Sequence, residues 1–343
     1  MGDQQNIQGR RRVLVVGAGG FAGGFFVAEG LRRGYEVWAG VRESTSRRWL
    51  DDPAIRFLTL DFDNPESMRR SLASALPEGE RWDWIIYNLG ATKCLNFADF
   101  NKINYLYLRE FTDALHDVGM LPEKMLYMSS LSAMGPGDEK GYTPFTETMI
   151  PHPNTRYGAS KLKAEMWLAT CGIPTVIFRA TGIYGPRDKD YFLMFESIRK
   201  GFDFSVGFRR QVLTFIYVED LARAAYDALA KAPAGQTYNV AEPQAYTQKE
   251  FRQIATEAMG CRAIGVKLPL WMVRAVSTVA EKWGVLRMKP STLNRDKFNI
   301  MKQRNWGADI SKARRDFGFT PEISLREGVR RAVEWYRKEG WMK

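Results

Sequence analysis

The chain of 343 residues has only two histidines, His116 and His152, and three cysteines, Cys94, Cys171 and Cys261. So few imidazoles leave a Ser-His-Asp hydrolase or a His-rich metal centre without its parts, and no metal site is expected. The cysteines are far apart, with no CxxC pair for zinc or redox work, which suits a reducing cytoplasm. Charges interrupt every apolar run before the ~18 residues that a membrane span needs. The nearest approach, "LPLWMVRAVSTVAEKWGVL" at 268–286, carries Arg274, Glu281 and Lys282. It reads as an amphipathic helix, expected to pack on its own domain rather than dock on a membrane surface. The opening "MGDQQNIQGRRR" lacks the apolar stretch of a secretory signal and the Ser or Thr of a myristoylation signal, and reads as a short disordered lead-in.

Basic residues outnumber acidic ones, 50 to 39, for a net charge of +11. No basic block exceeds three residues and no aromatic interleaving accompanies the charge, so a nucleic-acid partner is not expected. Apolar residues at 45% fit a globular protein with a large core.

An alternation of elements is present. Short β-rich runs stand at "RVLVVG", "EVWAGV", "IRFLTLD", "WDWIIYNLG", "KMLYMSS" and "PTVIFRAT", with helical patterns at 21–33, 65–76, 97–119 and 157–171 between them. Strand and helix in turn imply an α/β fold, a doubly wound parallel sheet covered on both faces. Beyond about residue 185 the pattern loosens into a helix, a strand entering a helix ("FIYVEDLARAAYDALA"), a further strand ("GQTYNVAE") and a mostly helical last hundred residues. This divides the chain into a dinucleotide-binding domain at 11–185, to which 212–241 returns, and a smaller substrate lobe at 186–211 and 242–343.

The stretch "VVGAGGFAGG" places Gly17, Gly20 and Gly23 at the junction of the first strand and first helix. The first glycine permits a tight turn, the second lets a pyrophosphate approach the backbone, and the third lets helix and strand pack closely. A dinucleotide is therefore the expected cofactor. A carboxylate ending the second strand would select NAD; here the strand ends "GVRES", and Arg42 with Ser44 suits a 2′-phosphate, favouring NADP with NAD as the alternative. Asp61, ending the third strand, is placed to meet the adenine.

The stretch "RYGASKLKAE" puts Tyr157 and Lys161 four apart on one helical face, after a strand whose end offers Ser129 and Ser130. A neighbouring ammonium is expected to lower the tyrosine pKa, making it an acid or base near neutrality, while a serine holds the substrate oxygen.

The motifs "VGAGGFAG", "DFDNPES", "NLGA", "YMSSLSAMG", "RYGASK", "RATGIYGPRD" and "FIYVEDLARA" resemble, in order, those of the extended short-chain dehydrogenase/reductase family, the NAD-dependent epimerase/dehydratase group. The resemblance extends to the tail "DISKARRDFGFTPEISLREGVRRAVEWYR" and implies a Rossmann domain, a small C-terminal substrate lobe and a homodimer. It implies a catalytic set of Ser130, Tyr157, Lys161 and Asn104. It implies cofactor contacts from Gly17, Gly20, Phe21, Ala22, Gly23, Asp61, Phe62, Leu89, Gly90, Ala91, Gly182 and Ile183, with Lys161 and Tyr157 also touching the cofactor. Val16 replaces the family's usual Thr. Gly182 replaces the Asn of many sugar-nucleotide members, which turns the expectation toward hydroxysteroid dehydrogenase- or dihydroflavonol reductase-like substrates. "SLSAMGPG" lacks the Asp-Glu pair of dehydratases, so dehydration is not expected.

The expected activity is thus interconversion of a secondary alcohol and a ketone on a small, fairly apolar molecule, in keeping with Trp271, Met272, Trp283 and Met288 in the C-terminal lobe, residues that also suit simple core packing. A nucleotide-sugar epimerase or reductase, with Arg187, Arg209 or Arg210 as basic groups, is the alternative within the fold. A non-catalytic cofactor-sensing or RNA-binding protein is the alternative outside it.

Overall fold

The four residues Val13, Leu14, Val15 and Val16 are all fully buried, so the first strand is covered on both faces. This is the signature of a central strand in a parallel sheet. In the computed structural model, which describes residues 10–287, 291 and 293–342, that strand is β1 (Arg12–Val16). The N-terminal lead-in to residue 9 and Met288 lie outside the described residues.

Beside β1 stand β2 (Glu36–Val41), β3 (Arg56–Thr59), β4 (Trp84–Tyr87), β5 (Lys124–Met128), β6 (Thr175–Ala180) and β10 (Gln236–Val240). The seven are ordered β10-β6-β5-β4-β1-β2-β3 and every pairing is parallel. The order reverses between β1 and β4, the point at which open α/β sheets bind ligands. This is the expected Rossmann-like sheet.

Alternate residues feed two cores. Val13 and Val15 pack with α1 (Phe21–Arg32), α7 (Val218–Lys231) and α11 (Ser311–Phe317). Leu14 and Val16 pack with α2 (Pro65–Ala73), α4 (Tyr107–Asp117) and α5 (Arg156–Leu168). The helical pattern at 97–119 resolves into α3 (Phe97–Asn101), a π-helical turn at Lys102–Leu106, and α4.

The smaller lobe holds α6 (Asp190–Arg199), α8 (Gln248–Met259), α9 (Leu270–Leu286), α10 (Arg295–Lys302) and α12 (Leu325–Lys338). Its core is aromatic: Tyr184, Phe195, Phe215, Tyr217, Phe251 and Tyr336. Short parallel pairs, β7 (Gly182–Tyr184) with β9 (Phe215–Tyr217) and β8 (Phe202–Val206) with β11 (Ile264–Leu268), brace it. The strand at 264–268 departs from the helical expectation for the tail. Its residues "IGVKL" are mostly exposed, so no apolar alternation marks it.

A second departure concerns α9. Trp271 and Trp283, expected to pack in the lobe or face a substrate, are 73% and 54% exposed. The helix seats itself through Val273, Ser277 and Gly284, and its indoles point outward.

Asp220 joins the two parts. It is buried at the start of α7, pairs with Arg223, and accepts from the backbone N–H groups of Glu322 at 3.0 Å and Ile323 at 2.9 Å. Asp220→Ala leaves both donors without a partner and should cost about 3 kcal/mol in urea unfolding.

Candidate active site

The turn from β1 to α1 is shaped by what glycine omits. Gly17 has φ +81, and a Cβ there would lie 2.9 Å from the Leu89 nitrogen. A Cβ on Gly23 would lie 2.2 Å from the Gly17 carbonyl, so this glycine sets the distance between helix and strand. Gly20 is exposed and is the N-cap of α1, without a side chain capping the first turn and without an acidic residue in it. Uncapped N–H groups and positive dipole potential face outward there, with Phe21 and the buried Ala22 beginning the helix. The arrangement fits a dinucleotide diphosphate.

Around it lie the other expected cofactor residues. Arg42 and Ser44 are exposed in the turn leaving β2, which Thr45 closes by accepting from the Arg42 N–H at 3.0 Å. Thr45 also sits over Gly19, where a Cβ would be 2.1 Å from its methyl. Asp61 is exposed and accepts from Asp63 N–H at 3.1 Å, whereas Phe62 is buried against Tyr107 and Phe111. The Asp63 carboxyl is held below its usual range by Lys102 and Tyr107, with Arg42 adding to the effect.

The loop after β4 is latched by Asn104, which is fully buried in the π-helical turn. Its amide accepts from Ala91 N–H at 2.7 Å and donates to Ala91 O at 3.1 Å and Ser160 Oγ at 2.9 Å. Asn104 therefore ties Leu89-Gly90-Ala91 to α5 and acts as a positioning residue. A Cβ on Gly90 would stand 3.1 Å from Lys161 Nζ, so glycine here leaves the ammonium approachable.

Ser130, Tyr157 and Lys161 come together at the carboxyl ends of β4 and β5. Ser130 follows β5 and accepts from Ser132 N–H at 3.2 Å. Tyr157 lies in the first turn of α5, capped by Thr155, and its N–H donates to Asp296 at 3.2 Å. Its ring is 6.2 Å from that of Phe100. Burial raises the Tyr157 phenol above its usual range, and a hydrogen bond with Ser130 opposes this. The lowering expected from Lys161 is thus not found. The ammonium points elsewhere, donating to Met128 O at 2.7 Å and lying 4.8 Å from the Tyr127 ring centre. Desolvation brings Lys161 down to about 8, while Glu165 opposes the shift.

Three supporting residues were not anticipated. Glu165 is buried one turn beyond Lys161, forms a 2.6 Å ion pair with Arg179 of β6, and accepts from Ser129 Oγ. The signal for Glu165 was present in the spacing, since Tyr157, Lys161 and Glu165 recur every four residues, whereas Arg179 on β6 carried none. Ser129 is thereby committed to structure, whereas Ser130 meets the Tyr157 phenol. The third, Tyr191, explains Gly182: a Cβ there would lie 2.1 Å from the Tyr191 hydroxyl. Ile183 follows, half-buried in β7.

Arg187 stacks on Phe25 and Trp49, both 4.8 Å away, rather than standing free for a sugar nucleotide. Arg209 and Arg210 are exposed. Burial pushes the Cys94 thiol up to about 11, which disqualifies it as a nucleophile. Among the described residues no cluster of His, Cys, Asp and Glu could hold a metal ion.

The model of the NAD dependent epimerase/dehydratase family matches residues 13–241, and the chain belongs to that family. It is 23% identical over 332 residues to a ceramide reductase of Caulobacter vibrioides, covering 96% of each protein. It is 27% identical over 207 residues to a dTDP-glucose 4,6-dehydratase of Neisseria meningitidis, covering 56% of this chain and 52% of that protein. The fold is that of the UDP-glucose 4-epimerase of Thermotoga maritima, with TM-score 0.75, 22% identity and 96% and 99% of the two chains covered. Other solved structures of this fold are complexes with NAD or with NADPH.

Glu165→Gln strips Arg179 of its buried counter-charge and should cost about 3–5 kcal/mol in urea unfolding. For Lys161 the folded pKa, about 8, lies below the ~10.4 of an unfolded lysine. Between these values the unfolded chain binds more protons, so folding stability rises with pH. Thermal midpoints of the wild type relative to Lys161→Met should therefore climb as pH passes from 8 toward 10.

Proposed function

We propose that the protein is an NAD(P)-dependent oxidoreductase that interconverts a secondary alcohol and a ketone. The observation that carries this reading is the meeting of Ser130, Tyr157 and Lys161 beside Gly90, at the sheet edge that also presents the Gly17–Gly23 turn. The bound nicotinamide supplies the hydride chemistry. Within the chain, Ser130 holds the substrate oxygen and Tyr157 Oη gives or takes the proton on it. Tyr157 sits in the first turn of α5, where the dipole favours the phenolate against the cost of burial, and the hydrogen bond with Ser130 acts in the same direction. Lys161, over which Gly90 places no side chain, would hold the nicotinamide ribose. Asn104 sets the loop and helix that carry them.

NADP is favoured over NAD by Arg42 at the end of β2, where an NAD-selective chain would place a carboxylate. An apolar substrate is favoured by Gly182, over which the Tyr191 phenol lies. The full-length relative named a ceramide reductase agrees with both an alcohol–ketone reaction and a lipid-like substrate. A nucleotide-sugar epimerase is the second reading, supported by the likeness to UDP-glucose 4-epimerase. The stacking of Arg187 between Phe25 and Trp49, against the first turns of α1, weighs against its use as a free basic group for the substrate.

Thermal unfolding with each of the four nicotinamide cofactors tests the assignment. Ligand at about a hundred times its dissociation constant adds ~2.7 kcal/mol, enough to raise the midpoint by several degrees. NADP and NADPH should shift the wild type, and Arg42→Ala should remove the advantage over NAD and NADH. Tyr157→Phe should keep the shift and lose turnover by at least about a hundredfold, measured as nicotinamide absorbance with ketones and alcohols. A fully active Tyr157→Phe enzyme would overturn the reading.

A further inference from the structure

Helix α9 has its polarity reversed for a surface helix packed on a water-soluble domain. Its inner side presents Ser277, Glu281 and Gly284 beside Val273, whereas Trp271, Val276, Val279, Trp283 and Leu286 on the outer side are each at least half exposed. At 100° per residue these five share one broad face. The reversal is not a loose fit. Ser277 is fully buried and donates to Val273 O at 2.7 Å, and Glu281 pairs with Arg156 at 3.1 Å and accepts from Arg295 N–H at 3.0 Å. At the start of the helix Leu270 is also exposed, near the loop of the exposed Phe208: a Cβ on Gly207 would lie 3.8 Å from the Leu270 side chain.

We propose that this outer face of α9 docks on an anionic lipid surface, so that the site draws its substrate from the membrane. The charge of the segment selects that occupant. Residues 262–287 contain Arg262, Lys267, Arg274, Lys282 and Arg287 against a single carboxylate, Glu281, which is turned inward and paired. Arg274 and Arg287 lie on opposite flanks of the apolar face, and Lys282 lies within it, where a lysine stem can lie along apolar surface with its ammonium at the headgroups. A second copy of the chain would bring the same cations face to face, and the total charge of +11 works against it. Indoles near both ends of the helix suit the boundary between headgroup and acyl chain. No described helix is long and apolar enough to cross a membrane, so α9 lies in the interface.

The inner face of the same helix reaches the catalytic turn. Glu281 and Gly284 line a small cleft with Cys94, Phe100, Arg156 and Asp296. Arg156 precedes Tyr157, and Asp296 accepts from the Tyr157 N–H. The turn that carries Tyr157 therefore lies directly behind the docking face, one helix thickness from the lipid surface. The lipid origin of the substrate rests on the oxidoreductase reading; the docking does not.

Co-sedimentation of the whole protein with phosphatidylcholine vesicles, with and without phosphatidylglycerol, tests the docking without any turnover. The wild type should sediment with the anionic vesicles, bind less as salt screens the charges, and show a blue shift of tryptophan emission. Trp271→Ser combined with Val279→Ser and Trp283→Ser, all outward-facing, should weaken binding at least about tenfold with the thermal midpoint unchanged. Arg274→Glu with Lys282→Glu should remove the preference for phosphatidylglycerol. Binding of the triple variant equal to that of the wild type would overturn the proposal. So would a wild type that stays in the supernatant at low salt, or a dimer by light scattering that the triple variant dissolves. Any of these leaves the Tyr157 assignment standing, since that is judged by the Tyr157→Phe turnover.

Discussion

The site depends on burying one ammonium group at the carboxyl edge of the sheet. Lys161 is almost fully enclosed, and desolvation works against its charge. The surroundings compensate on three sides. The Met128 carbonyl accepts from it, the face of Tyr127 lies beneath it, and Glu165 supplies negative potential one turn along α5. Glu165 is itself held by Arg179 and Ser129, so the chain of support runs from the helix through β6 and back to the end of β5. A free carboxylate beside Lys161 would pull the ammonium out of line. With both oxygens engaged, Glu165 contributes field without drawing the ammonium away from the Met128 carbonyl.

This coupling is why Asn104 sits in a π-helical turn rather than an ordinary one. A wider turn displaces a side chain relative to the helix that contains it, and here the displaced amide reaches both Ala91 and Ser160. The loop carrying Gly90 is thereby fixed against the helix carrying Lys161.

Most of this was legible in the order of the residues. The central strand announces itself by four consecutive buried apolar residues, and the glycine turn by its place between strand and helix. The Tyr157/Lys161 pair follows from four-residue spacing, because helix geometry carries side chains to one face. What spacing does not reveal is where a long side chain points. Lys161 turns toward Met128, and so the phenol is not lowered by it as expected. Nor does local pattern disclose contacts between distant segments, such as Tyr191 over Gly182 or Thr45 over Gly19. The strand at 264–268 escaped for a related reason: it is defined by a partner at 202–206 and has no buried face of its own.

Helix α9 is the converse case. Its amphipathic pattern was legible, but periodicity says only that one face is apolar and not which way that face turns. The inward side is decided by Glu281, since a carboxylate with two arginine partners and a backbone donor waiting on one side has a strong reason to face them. Once Glu281 is inward, the geometry of the helix leaves Trp271, Val279 and Trp283 outward. The same ion pair that exposes the indoles holds Arg156 at the start of α5, one residue before Tyr157. The Glu281–Arg156 pair therefore links the orientation of the outer face to the start of α5, where Thr155 and Asp296 also hold the Tyr157 turn.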